Sequence, residues 1–328
     1  MATTRLNQLF KLGVVALGLA SAMSANALDA SKPLKIVVPF NAGGGVDTVA
    51  RIMADKLRVN LKQDVIVENK PGGSGMIGAM AVVKADPDGN TVLLGSAGET
   101  AINEYVFKEK MQYSPTKDLA PVTMVARIPN VLVAGSKLPV SSVAELVQYA
   151  KAHPGKVKFA SSGIGNVQHL NGELLADLAG VKMVHVPYKG ASKQLVDVAS
   201  GDVEITFVSY AAARGFIADK KVKALAVTSA KRADFDNTIP TISETAGLKK
   251  YQLDNWFGMF APAKTPEAVL EQLNKAAVAA LKDAEISEKL KNMGGKPAPM
   301  SVQQFRDFLI QERQQLADIV KQAEITIQ

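Results

Sequence analysis

The chain has 328 residues, 47% of them hydrophobic, no cysteine, and a formal net charge of +7. Without cysteine there can be no disulfide, thiolate metal site, cysteine nucleophile or lipid-bearing terminus, so a hydrophobic core alone must stabilise the fold. Lysines are scattered and aromatic residues make up only 5%. That excludes the concentrated charge and interleaved rings of a nucleic-acid surface and leaves a mild positive field suited to anionic solutes.

At the start, Arg5 and Lys11 flank or precede the apolar run Leu12–Ala22, and Ala25-Asn26-Ala27 follows as a small-x-small site. This three-part pattern reads as a secretory signal over residues 1–27, cut after Ala27. The run is too short for a membrane span, which needs about 20 apolar residues. The leader holds Arg5 and Lys11 and no acid, so its removal takes the net charge from +7 to +5.

Seven short apolar runs then read as strands: LKIVVPF (34–40), DVIVEN (64–69), TVLLGS (91–96), KVKFAS (156–161), MVHVPY (183–188), VEITFVS (203–209) and VKALAVTS (222–229). Most are near-continuous hydrophobics, the pattern of parallel strands covered on both faces. Helical patterns lie between them, which makes the class α/β. Ser142 with Glu145, and Ser301 with Gln304, are capping boxes. Thr265 before Pro266 reads as a cap residue ahead of a proline. Leu270, Leu273, Ala277 and Leu281, and later Phe305, Phe308, Leu309, Leu316, Ile319 and Val320, recur at helical spacing and belong to a core. So many elements exceed a typical single domain and predict two lobes. The extended apolar stretches 124–135 and 251–262 are candidate crossovers between them.

In open α/β sheets ligands gather beyond the carboxyl ends of the strands. The loops there are Phe40-Asn41-Ala42-Gly43-Gly44-Gly45-Val46-Asp47, Gly95-Ser96-Ala97-Gly98-Glu99, and Ser161-Ser162-Gly163-Ile164-Gly165-Asn166. The first fails as a dinucleotide loop, because Thr48 stands where a third glycine is needed. It fails as a P-loop, because it has no lysine. Asp47 would repel a polyphosphate and reads as a helix cap. What remains is a helix N-terminus able to hold one small anion. Ser161–Asn166 repeats the arrangement in the other half of the chain, so two such loops could close on one ligand with a carboxylate at each end.

Catalytic readings are poorly supported. His153 precedes a proline at a helix end, His185 lies in a strand, and His169 reads as a capping or packing residue. No metal-binding spacing and no nucleophile elbow occurs. A hydrolase built from Ser161 or Ser162 with His169 would find its orienting acid only in Glu173 or Asp177, on the same helix.

The motifs VPFNAGGGVDTVAR, VENKPGGSGMIGAMAVVKADPDGNTVLLGS, SSGIGNVQHLNGEL, VHVPYKG and DNWFGMFAPAKTPEAVLEQLN, in this order from Lys32 to Lys296, resemble those of the Bug family. These are the periplasmic substrate-binding components of tripartite tricarboxylate transporters. The resemblance implies a two-lobed type II periplasmic binding protein fold, each lobe a mostly parallel sheet flanked by helices and joined by two crossovers. Lobe 1 would comprise 28–128 and 251–328, and lobe 2 would comprise 129–250. It further implies that a small carboxylate is gripped between Phe40, Asn41, Ala42, Gly43 and Gly44 on one side and Ser161, Ser162, Gly163, Gly165 and Asn166 on the other. Ser96 and Ala97 would lie on the cleft floor, His169 and Tyr188 would line or support the wall, and Phe40 would cover the apolar part of the ligand. No cofactor, metal or catalytic residue is implied. The partner would be a membrane permease, or alternatively a receptor kinase that senses the bound form. Asn90, Asn166 and Val167 depart from the usual pattern, so the ligand's identity cannot be carried over.

Overall fold

The computed structural model describes residues 28–188 and 191–322, and the assigned signal peptide lies outside them. In chain order the elements are β1 (Leu34–Val38), α1 (Gly45–Leu61), β2 (Val65–Asn69), α2 (Met76–Val83) and β3 (Thr91–Ser96). A turn of π-helix (Gly98–Ile102) and the one-turn helices α3 (Asn103–Val106) and α4 (Pro115–Asp118) lead to β4 (Leu119–Ile128). The second sheet follows with β5 (Asn130–Gly135), α5 (Val143–Ala152), β6 (Val157–Ser161), α6 (Val167–Ala179), β7 (Met183–Pro187), α7 (Ala191–Ser200), β8 (Ile205–Ser209), α8 (Tyr210–Ala218) and β9 (Val222–Val227). The chain returns through β10 (Asn255–Pro262), α9 (Glu267–Leu281), α10 (Ala284–Asn292), β11 (Lys296–Pro297) and α11 (Val302–Gln322).

Two sheets result, ordered β11-β4-β10-β3-β1-β2 and β7-β6-β8-β5-β9. All seven sequence-predicted strands form, each within two residues of its expected ends. The strands that precede the loops are parallel to their neighbours: β1 with β2 and β3, and β6 with β7 and β8. The crossover stretches are themselves strands: β4 keeps the direction of β3, whereas β10 runs against β3 and β4, and β5 runs against β8 and β9. The sheets are therefore mixed, because a strand arriving from the other lobe enters its sheet from the opposite end.

Helix starts follow local chemistry in two places. Ser142 Oγ accepts from Glu145 N–H at 3.2 Å, and Ser301 and Gln304 exchange bonds of 3.0 and 3.1 Å. At α9 the expectation fails. Pro266 itself occupies the cap position, and the Thr265 hydroxyl is buried without a partner.

The apolar stripes of α9 and α11 are buried apart from Phe308, which is partly covered. α9 packs on α1 and β4, while α11 packs on β4 and reaches α6 in the second lobe. Beneath the first loop, α2 lies so close that a Cβ on Gly78 would stand 2.6 Å from Pro39 Cα and 2.9 Å from the Lys70 carbonyl. Those neighbours are backbone and cannot swing aside. Gly78→Ala is expected to lower stability by about 2 kcal/mol, the scale of overpacking a tight core, as measured by urea unfolding.

Candidate functional site

The loops after β1, β3, β6 and β8, together with the crossover strands, meet at one cleft of about 820 Å³, a volume suited to a small ligand. Of the sequence-predicted residues, Phe40, Asn41, Ala42, Gly43, Gly44, Ser96, Ser162, Gly163, Gly165 and Asn166 line it.

In the first loop Gly43 adopts φ +81°, a left-handed conformation that favours glycine, and Gly44 stands at the N-cap of α1 with no side chain to offer. Asp47 is not the cap expected of it. It is the third residue of α1, and its buried carboxylate reaches back to accept Gly43 N–H at 2.8 Å. It also accepts from Arg51 Nε at 3.0 Å and Asn69 Nδ2 at 2.9 Å. Asn69 Nδ2 lies 3.0 Å from the Phe40 carbonyl as well. Burial opposes ionisation of Asp47, but the bonds from Arg51, Gly43 and Asn69 outweigh it and hold the carboxyl below its ordinary range. With Gly43 N–H engaged, the first turn of α1 offers a ligand the N–H groups of Gly45 and Val46, both on cleft-lining residues, which have no partner within the helix.

The second loop has the same logic and different parts. Asn166 caps α6, its Oδ1 accepting His169 N–H at 3.0 Å, as a hydroxyl would at that position. Ser162 N–H donates to Gln168 Oε1 at 2.7 Å, and its hydroxyl accepts from Gln194 Nε2 at 2.7 Å. Val167 and Gln168, the first two residues of α6, line the cleft and carry N–H groups without a helical partner.

Four expected residues stand behind the cleft rather than on its surface. Ala97 is buried under the turn that follows β3. Ser161 is fully buried, and its hydroxyl donates to the Gly163 carbonyl at 2.8 Å. His169 is buried with Nδ1 accepting Gly165 N–H at 3.1 Å. Tyr188 turns its hydroxyl away to Asp197, at 2.8 Å. The postulated hydrolase pair is not assembled either: the ring nitrogen beside Ser161 Oγ is His185 Nε2, at 2.6 Å.

Sequence reasoning missed several lining residues, among them Ser74, Asn103, Asn130, Ser209, Phe257 and Met293. Asn103 Nδ2 donates to the Ser74 carbonyl at 2.9 Å. Ser209 stands at the N-cap of α8, a third helix start on the cleft. Asn130 opens β5, and its Nδ2 is buried with no hydrogen-bond partner. A lone amide in the apolar stretch IPNVLVAG was the one signal that could have found it. Among the described residues, none with a charged side chain lines the cleft.

A family profile described as the tripartite tricarboxylate transporter family receptor, TctC, matches residues 49–325. The chain belongs to this receptor family. The protein BugT of Bordetella pertussis is 32% identical over 322 residues, 98% of each chain. Among solved structures, R. palustris Rpa4515 with adipate is 34% identical with a TM-score of 0.81, covering 90% of this chain and 99% of that one. MatC from Rhodopseudomonas palustris with bound malate is 30% identical with a TM-score of 0.76, covering 88% and 99%. The TctC receptors are periplasmic solute-binding proteins, and this chain has their two-lobed architecture.

Under the cleft floor of this receptor lies a buried acid. Glu99 accepts from the Ser96 N–H and, at 2.7 Å, from the Ser96 hydroxyl. Burial pushes its carboxyl up to about 7, only partly opposed by those two bonds. The folded pKa thus lies above the unfolded one, so the protonated acid costs nothing at low pH. Stability should then fall as pH rises from about 4.5 to 7, by roughly 3 kcal/mol for a shift of this size. Glu99→Gln is expected to flatten this part of the Tm-versus-pH curve, and an unchanged slope between pH 4.5 and 8 would refute the assignment.

Proposed function

We propose that this receptor captures a small carboxylate between its two loops and delivers it to the permease subunits of a tripartite transporter, without chemical change to the ligand. The carrying observation is that α1 and α6, one from each lobe, begin on a single cleft lined by neutral residues. Each helix start presents unpaired N–H groups and roughly half a positive charge. Two facing starts suit an anion with a charge at each end, and α8 adds a third donor edge.

Asn130 strengthens this reading. A buried donor without a partner is costly, and a ligand carboxylate at that point would supply the missing acceptor. Phe40, Ile164, Phe257 and Met293 offer apolar surface for the hydrocarbon between the charges. Adipate and malate, the ligands in the solved relatives, are both dicarboxylates. In this reading lobe 1 comprises 28–128 and 251–328, lobe 2 comprises 129–250, and they close about the crossovers by hinge motion. Residues 1–27 direct export, and the mature chain works in the periplasm.

Calorimetric titration of the mature protein with mono-, di- and tricarboxylates, adipate and malate included, should yield at least one stoichiometric binder. Asn130→Leu should weaken that binder about tenfold, the worth of one buried hydrogen bond to a charged group. Silence across the panel with folded protein refutes the function. Unaltered affinity in the variant removes Asn130 from the site.

A further inference from the structure

Behind the second loop lies a stack of rings that the carboxylate reading leaves unused. His169 lies flat against His185, ring centroids 3.7 Å apart at 14°, and His185 stacks on Phe159 at 5.0 Å. The hydrogen bonds define the protons. Gly165 N–H donates to His169 Nδ1 at 3.1 Å, so that nitrogen carries a lone pair and the ring proton sits on Nε2, 3.3 Å from Glu173 Oε1. The His169 ring is thus the neutral Nε2–H tautomer. Beside it, His185 Nε2 lies 2.6 Å from the Ser161 hydroxyl. Burial, and then the neighbouring His169, push His185 down to about 3.

Gly165 is a poor place for the backbone to yield. Its φ is +76°, and a Cβ there would stand 2.8 Å from Val106 Cγ1 of the first lobe. The turn that carries Gly163, Gly165 and Asn166 into the cleft is therefore pinned between the His169 ring and the opposite lobe.

We propose that the neutral Nε2–H form of His169 is the positioning element of the second-lobe anion loop, and that a second proton on its ring disengages Gly165 and weakens ligand binding. This rests on the carboxylate reading of the cleft. A proton on Nδ1 replaces the acceptor for Gly165 N–H with a donor, so two donors face each other where one bond had been. The new charge also sits 3.7 Å from the centre of the His185 ring. The titratable groups that meet the His169 ring are Glu173, on its own helix, and His185, on β7. Phe159 contributes only an apolar face, at 6.1 Å. The receptor would then hold its ligand at neutral pH and loosen it on acidification.

The test uses the mature protein labelled with ring-15N histidine and 15N glycine. In the ligand-free protein at pH 8, His169 should show the Nε2–H tautomer, and the Gly165 amide resonance should move with His169 protonation as pH falls to 5. In His169→Asn the amide oxygen takes the place of Nδ1 and does not titrate, so the Gly165 resonance should lose that movement. With adipate as the titrant, the ratio of wild-type to His169→Asn Kd should rise about tenfold from pH 8 to pH 5. Glu173→Gln should shift the wild-type transition to lower pH, and it decides the matter if His169→Asn does not fold. An Nδ1–H tautomer, a Gly165 amide indifferent to His169, or a Kd ratio constant with pH overturns the proposal. Silence of the whole carboxylate panel counts against the carboxylate reading, while the tautomer and the Gly165 response still decide the role of His169.

Discussion

An anion held without a positive side chain depends on backbone N–H groups that the folded protein leaves unpaired. Such groups are useful only if the loop that carries them is already rigid, since a mobile loop would pay its ordering cost on binding. Each half of this cleft meets the requirement from behind. In the first lobe the Asp47 carboxylate gathers Gly43, Arg51 and Asn69 into one knot. In the second, the Asn166 cap and the His169 ring fasten the turn. The two solutions differ in one respect: Asp47 is ionised and braced by a cation, whereas the second loop is braced by neutral groups alone. That asymmetry is why the second loop, and not the first, is open to control by a proton.

The same economy of free backbone limits how the lobes can move. On the first side the β4–β10 ladder continues to the pair Ile128 and Asn255. On the second side the β5–β8 ladder begins at Asn130 and Ser209. Pro129 is the single residue between them, so the outgoing crossover has little freedom. The return segment from Thr228 to Asp254 is longer but tied: Leu253 N–H bonds the Thr228 carbonyl at 3.2 Å, and the Tyr251 hydroxyl bonds Asn171 Oδ1 at 2.6 Å. In the proposed closure, rotation would concentrate in a few dihedrals beside Asn130, a residue that lines the cleft. Proposed ligand contact and proposed hinge would then be neighbours in the chain, so that closure would be coupled to occupancy.

Much of this was legible in the amino-acid order. Runs such as LKIVV and ITFVS sit between turn signals and carry their strand identity locally, and the glycine-rich loops at their ends announced the cleft. The crossover strands were not legible as sheet members, because β4 and β10 find each other only across the whole second lobe and nothing local records that pairing. The same holds for Ser74, Asn103, Ser209 and Met293, which reach the cleft by tertiary placement. Asp47 was misread because an aspartate at a helix start is usually its cap. Here Gly44 takes the cap position, and the acid two residues inside the helix serves the loop instead. Ser161, His169 and Tyr188 belong to the right motifs, yet Ser161 and His169 are buried and Tyr188 bonds Asp197 instead of lining the cleft, a distinction that motif spacing does not contain.

Glu99 bears on how an anion site can tolerate an acid beneath it. Its carboxyl is enclosed where Cβ atoms on Gly95 or Gly75 would lie 2.7 and 3.0 Å from its oxygens, so two glycines make the space it occupies. No cation joins it. The charged groups nearby, Glu104 and Arg313, are paired with each other at 3.4 Å, and the Tyr113 hydroxyl bonds only the Glu99 backbone carbonyl, at 2.6 Å. An ionised Glu99 would repel a carboxylate bound over Ser96 and would also hold the Ser96 hydroxyl proton away from it. Kept as the acid, Glu99 removes the repulsion and can itself donate, which frees that proton to point into the cleft. With a carboxylate bound over Ser96, as proposed, the charge state of this one buried group would set whether the floor of the site offers a donor or a lone pair.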